Sequence, residues 1–294
     1  MSSLVELFCD VDDFCQAFEP QWGKELIGSG TRQRRRAGQM HLSEMMTIVI
    51  HFHQSHYRDF KAYYTEYVSV QLGQDFPSLL SYSRFVYLMP HLLVPVGQYL
   101  LSRLAQSRGI AFIDSTPLAV CDNHRIQRHQ VFRGLAQRGK TSMGWFYGFK
   151  LHLIVNDRDE LVSFTLTPGN VDDRKPVPTL ARRLWGKLFA DRGYISGPLA
   201  AQLLEHGLEL ITCVRRNMAA RLLCELDRLL LRKRAIIETI NDQLKNISQI
   251  EHTRHRSPLN FVVNVFAGLL AYTFQPKKPS LHLQWLALPQ PALA

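Results

Sequence analysis

The stretch from residue 109 to 214 most constrains what this chain can fold into. Residues 109–114 form a short apolar run, as a buried strand does. Residues 148–156 (GFKLHLIVN) alternate apolar and polar side chains, the period of a half-buried strand. A charged turn at 156–160 follows, residues 161–167 return as a third strand, and Pro168-Gly169-Asn170 ends it. Residues 176–184 read as a helix, 186–191 as a strand, 198–206 as a helix with Pro near its start, and 208–214 as a strand. A long helix over 227–250 and a last helix over 259–272 complete the chain.

The first three strands are close enough in sequence to pair as a meander. The later two are separated by helices of the kind that return a strand parallel to its predecessor. This order predicts an α/β fold: a ribonuclease-H-like mixed sheet flanked by helices. Residues 1–106 read as helical, with elements starting at Leu42-Ser43-Glu44, near Tyr57 and at Ser81, the last interrupted by Pro90 and Pro95. The expected division is a helical N-terminal domain over 1–106, a sheet-containing domain over 107–275 and an extended tail over 276–294.

The chain has 294 residues, 35 Lys+Arg against 25 Asp+Glu, a formal charge of +10 and 46% apolar residues. That composition supports a packed core, excludes a disordered chain and favours a polyanionic partner. Five cysteines, Cys9, Cys15, Cys121, Cys213 and Cys224, include no Cys-x-x-Cys. They read as reduced thiols of a cytosolic protein without a zinc site. His51, His53 and His56 lack a carboxylate or Cys to complete a ligand set, so metal ligation there is not expected. No leader is read at the N-terminus, and the longest apolar run, 261–274, falls short of a membrane span. A cluster at Arg32, Arg34, Arg35 and Arg36 reads as a solvated basic loop. The connection from Ser115 to Trp145 carries Arg125, Arg128, Arg133, Arg138 and Lys140 and is expected to grip DNA.

Three acids hold positions with chemical meaning. Asp114 and Asp191 end strand-like runs, and Glu238 sits in a helix with Arg234 four residues before it and Lys245 seven after, on the same side at about 100° per residue. Ile237, Ile240, Leu244 and Ile247 form the opposing apolar stripe. Taken singly, Asp114 reads as a turn or cap, Asp191 as a turn and Glu238 as a surface ion pair. Together, on these elements and in this order, they predict a metal-dependent phosphodiester site. Two divalent ions about 3.5–4 Å apart activate the attacking and leaving oxygens, and hard oxygen ligands suit Mg²⁺ or Mn²⁺.

The segments Phe112-Ile113-Asp114-Ser115-Thr116-Pro117, Gly144-Trp145-Phe146-Tyr147-Gly148-Phe149-Lys150-Leu151-His152, Thr167-Pro168-Gly169-Asn170-Val171-Asp172-Asp173, Asp191-Arg192-Gly193-Tyr194 and the helix from Arg234 to Lys245 resemble DDE transposases. Specifically, they resemble those of bacterial insertion sequences of the family numbered nine-eighty-two. The resemblance extends to Ser81-Tyr82-Ser83-Arg84-Phe85 and to 251–257. It implies the triad Asp114, Asp191 and Glu238, two Mg²⁺ or Mn²⁺ ions, terminal inverted repeats and target DNA as partners, a nucleoid-associated cytoplasmic site of action and a homo-oligomer on DNA. Of the wider group's Tyr-x2-Arg-x3-Glu-x6-Lys pattern, Arg234, Glu238 and Lys245 match, while Leu231 stands in place of Tyr. Arg192 stands where such enzymes often carry Lys. The competing readings are a nuclease or resolvase without strand transfer and a non-catalytic DNA-binding derivative. All three acids are present, which disfavours the latter.

Overall fold

The computed structural model describes residues 3–29, 38–142, 144–213, 223–251 and 255–279. The Arg32–Arg36 cluster and the tail beyond residue 279 lie outside them. The chain divides into two compact units, one of Met1–Arg103 with Leu244–Pro276 and the other beginning with Leu104–Gln243. The segment 244–275, expected with the sheet-containing domain, therefore packs with the N-terminal helices.

The first unit opens with α1 (Leu4–Gly28) and α2 (Leu42–Phe52). Glu44 reaches back to the backbone N–H of His41 at 2.6 Å, which fixes the start of α2. Along α1, Leu7, Val11 and Cys15 are buried. Arg103 ties α1 down through a 2.8 Å bond to Asp10, which also accepts the Tyr99 hydroxyl. The expected helix near Tyr57 is three short pieces: α3 (Phe60–Ala62), a π-helical turn (Tyr63–Val68) and α4 (Ser69–Gln71). Next come α5 (Tyr82–Leu88) and α6 (Leu93–Ser102), joined by a 3₁₀ turn over Met89–Leu92 that absorbs Pro90.

By length and composition the continuous stretch Tyr82–Ser102 is long and apolar enough to cross a membrane, which the sequence reading overlooked. Its Phe85, Leu92, Val96 and Leu100 are buried inside the unit, as in a core helix.

The second unit is built on a six-stranded sheet: β1 (Ile110–Cys121), β2 (Gln137–Thr141), β3 (Gly144–Asn156), β4 (Leu161–Pro168), β5 (Gly186–Ala190) and β6 (Leu208–Thr212). β3 pairs antiparallel with β1 on one edge. Its other edge takes β2 along 144–148 and β4 along 149–155. β5 pairs parallel with β1, and β6 parallel with β5. The expected meander followed by parallel strands is thus present. Two glycines let β1 and β5 start side by side. Gly109 and Gly186 both have φ of +86°, and a Cβ on Gly186 would lie 2.3 Å from the Gly109 carbonyl oxygen.

Two expectations about this unit are corrected. β1 does not end at Asp114 but runs on to Cys121, with Asp114 opposite Leu153. Ser115-Thr116-Pro117 resembles a turn, yet among the described residues only β3 pairs with β1 beyond Phe112. No described strand takes the other edge there, so Pro117, which has no N–H, is accommodated. The connection after β1 is likewise not an unstructured loop. It holds a 3₁₀ turn (Asn123–Arg128) and β2.

One sheet face buries Ala111, Ile113, Leu188 and Ala190 against α7 (Val177–Leu180) and α8 (Gly197–Glu205), through Val177, Leu180, Leu199 and Leu203. Large aliphatic side chains buried this way contribute about 1.5–3 kcal/mol each. α7 is a single turn, shorter than expected. The expected long helix is two, α9 (Glu225–Lys233) and α10 (Ala235–Asn246), interrupted at Arg234. Ile237, Ile240 and Leu244 of the apolar stripe are fully buried, whereas Ile247 is 40% exposed. α11 (Pro258–Thr273) belongs to the first unit, where it packs on α6 and α2.

Candidate active site

The sheet register brings the two aspartates together. Phe112 pairs with Phe189 across β1 and β5; Asp114 lies two residues further along β1 and Asp191 two residues beyond Phe189, just past the end of β5, close enough for the charge of Asp191 to act on Asp114. Side chains at alternate positions share a face, so both aspartates lie on the face of Phe112 and Phe189, opposite the α7 and α8 core. Lys187, also on that face, anchors α9 by bonds of 2.7 and 2.9 Å to the buried Asp227. That anchor carries the chain into α10, from which Asn241 donates to Asp114 at 3.0 Å.

The three acids share an electrostatic environment. Burial, above all, pushes the Asp114 carboxyl up to about 7, and the charges of Asp191 and Glu238 push the same way. The Ser115 backbone N–H and the Arg234 guanidinium pull it down. Asp191 caps the turn Arg192–Tyr194, accepting from the Gly193 N–H at 2.8 Å. Glu238 pairs with Arg234 at 2.6 Å. Because Glu238 is 56% exposed, that pair contributes about 0–1 kcal/mol to stability.

Asp114, Asp191, Glu238 and Arg234 are therefore neighbours. Lys245 belongs to the other unit, where its ammonium lies 3.3 Å from Glu251. Two further acids are committed elsewhere. Asp172 accepts from the Arg174 side chain and Asp173 from Lys150, at 2.5 and 2.9 Å.

Among the described residues, no three His, Cys, Asp or Glu side chains are gathered closely enough to hold a metal ion. Each carboxylate of the trio is engaged by a donor: Asn241, the Gly193 N–H or Arg234. The donor chemistry nevertheless fits a hard divalent cation, since all three are oxygen ligands and the most buried is destabilised as an anion by its neighbours.

The basic residues of the β1–β3 connection are all exposed. Arg125 and Arg128 lie on the 3₁₀ turn, Arg133 just beyond it, and Arg138 and Lys140 on β2. Trp145 gathers the last two: their cationic groups sit 5.7 and 5.6 Å from its ring centroid, and the indole is 56% exposed.

Sequence reasoning missed three residues here. Asn241 follows Glu238 by three positions on one helix, a spacing that could have revealed it. Tyr194, fully enclosed near Asp114, Asp173 and Asp191, has its hydroxyl pKa pushed up first by burial and then by those charges. Trp145 is the strand partner of Lys140, a pairing visible only once the β2–β3 register is known.

A family model described as the transposase DDE domain matches residues 104–258, beginning where the sheet unit begins. No curated protein matches the chain. Among solved structures, the chain is similar to a piggyBac transposase in a synaptic complex with hairpin DNA, with 16% identity and a TM-score of 0.37. The match covers 63% of this chain and 43% of that one, so the chain spans less than half the length of the chain it matches. The family model covers more than half of the residues, and the chain belongs to the transposase DDE domain family.

Proposed function

We propose that this chain is a transposase that cleaves the ends of a bacterial insertion sequence and joins them to target DNA, with Asp114, Asp191 and Glu238 as the catalytic acids. The observation that carries the reading is the buried carboxyl of Asp114, pushed up to about 7 with Asp191 and Glu238 as its like-charged neighbours. A fold rarely crowds acids at a strand centre without a use for them. The strand order, with β3 and β4 antiparallel on one side of β1 and β5 and β6 parallel on the other, supports a ribonuclease-H-like reading of the sheet.

Asp114, Asp191 and Glu238 would hold two Mg²⁺ or Mn²⁺ ions. When bound, such ions polarise a phosphodiester and activate the attacking oxygen. Asn241 orients Asp114 through its 3.0 Å bond, and Arg234 holds Glu238 and offers a cation to the scissile phosphate. Trp145, Arg138, Lys140, Arg125, Arg128 and Arg133 present an exposed aromatic and five cations to a DNA strand. Lys245 is assigned a backbone contact next to the cut, its pairing with Glu251 being exchanged for phosphate. The first unit is assigned recognition of the inverted repeats.

The test is cleavage and joining of a terminal-repeat duplex with Mg²⁺. Asp114→Ala, Asp191→Ala and Glu238→Ala should each lower the rate at least about 100-fold, a loss typical of removing one transition-state stabiliser. Duplex binding should persist, since phosphate contacts come from the cations. A variant that cuts at the wild-type rate removes its residue from the triad. Cutting without joining by the wild type supports a nuclease instead.

A further inference from the structure

The first unit contains a cavity of about 1080 Å³ that the proposed chemistry leaves without a role. It opens among α2, α3, α5 and the start of α11. Its floor is apolar, with Val49, Phe52, Phe60 and Met89. At its rim stand Arg58, Lys61 and Arg256, all exposed, against a single acid, Asp59, whose carboxylate caps α3 by accepting from Lys61 and Ala62. Tyr82 and the 68% exposed Tyr87 supply aromatic faces.

Two amides on one face of α11 line the same space. Asn260 is 7% exposed, and its Nδ2 donates to the Val86 carbonyl at 3.3 Å, which fixes the amide orientation and leaves Oδ1 as an acceptor with no partner. One turn later the Nδ2 of Asn264 is a buried donor with no partner. A buried polar atom without a partner costs about 1–3 kcal/mol, and both atoms are enclosed behind the cavity wall, so a small turn of each amide that brings it to a ligand of matching polarity relieves that cost. The Watson–Crick edge of every nucleobase carries an adjacent donor and acceptor. Rim cations and the N-terminus of the 16-residue α11 favour a phosphate beside it.

We propose that this cavity takes one unstacked nucleotide of a single DNA strand, its base between the tyrosines and the Asn260 and Asn264 amides and its phosphate on Lys61, Arg58 and Arg256. The volume lies just above the roughly 300–1,000 Å³ of small-ligand sites, enough for a nucleotide and its flanking phosphate. That the nucleotide comes from DNA rests on the transposase reading above; the pocket itself does not.

The experiment titrates the full chain into a short single strand carrying one 2-aminopurine, whose fluorescence falls on stacking. Quenching is expected, with binding weakened about tenfold by Tyr87→Ala, as for loss of one stacked base. Asn264→Ala should weaken the intact strand but not one with an abasic site at the probe position. The pair Lys61→Ala and Arg256→Ala should weaken both strands. Tyr87, Lys61 and Arg256 are exposed, so these variants fold. The absence of quenching, equal affinity for the abasic strand, or an unchanged Tyr87→Ala overturns the proposal. Displacement by free AMP at the strand's own concentration keeps the nucleotide pocket and overturns its DNA source. Duplex cleavage by the wild type is measured on the same preparation: its absence with quenching retained counts against the transposase reading and leaves the pocket standing, whereas cleavage without quenching overturns the pocket alone.

Discussion

The two units differ in the company kept by their acids. In the first, the part-exposed Asp10 is held by both Arg103 and Tyr99, as the buried Asp227 of the second is held by Lys187. The fully enclosed His53, bonded to the Ser248 carbonyl, is kept neutral by burial, its pKa lowered to about 4. In the second, a strand-borne carboxyl is buried near two other acids and pushed up to about 7. The first arrangement is what stability alone selects. The second works against stability, and it is on that face that the catalytic acids are proposed.

That contrast is broken or sharpened first at Asp114. Its folded pKa lies above the unfolded value of about 3.9, so the folded state binds the extra proton and stability falls as pH rises between about 4 and 7. Asp114→Asn removes the charge and should stabilise the chain at pH 8, by up to about 4 kcal/mol from the size of the shift, with little effect at pH 4. Thermal melts across that range check the sign. Added Mg²⁺ should raise the wild-type Tm at pH 8 and raise that of Asp114→Asn much less, because a ligand bound only by the folded state stabilises it. A wild type more stable at pH 8 than at pH 5, with Asp114→Asn equally so, would remove the contrast.

A smaller effect is expected where the first unit is most tightly packed. A Cβ on Gly268 of α11 would lie 2.2 Å from Cγ2 of Ile250 and 3.4 Å from the His53 ring. The isoleucine must turn or the helix shift, so Gly268→Ala should destabilise by about 1–3 kcal/mol despite the better helix propensity of alanine. Its loss should be the same at pH 5 and pH 8, unlike that of the acid site, and denaturant melts at the two values measure it.

What the sequence revealed follows the same division. Strand order and the three acids were legible, because period-2 runs and acids beside them are local patterns. The length of β1 was not: Pro117 reads as a stop, and only the identity of the neighbouring strand decides whether its missing N–H matters. The break at Arg234 was invisible in a continuous amphipathic pattern. The cavity beside α11 depends on residues near 52, 60, 87 and 260, a juxtaposition that no periodicity encodes. Lys245 was grouped with Glu238 by helical spacing and by the family resemblance, neither of which shows its partner Glu251, which lies beyond the end of that helix.

The smallest effect on stability, and the sharpest on function, is expected at the exposed cations of β2. Arg138 and Lys140 are solvent-facing, and each sits more than 5 Å from the Trp145 ring centroid. Exposed cation–π contacts contribute about 0.5–1 kcal/mol, so alanine at either position should shift Tm by little. DNA affinity should respond differently. Each phosphate contact adds about 0.9 to the slope of log affinity against log salt, so removing both cations should flatten that slope by nearly 2 while weakening all duplex sequences alike. Trp145→Ala should leave the salt slope unchanged and weaken single-stranded DNA more than duplex, because stacking needs an exposed base face and no counterion is released. Slopes measured between 50 and 200 mM salt separate the two roles. An unchanged slope in the Arg138→Ala, Lys140→Ala double variant would make this hairpin an ordinary solvated surface and leave the acid face as the part of the second unit committed to DNA.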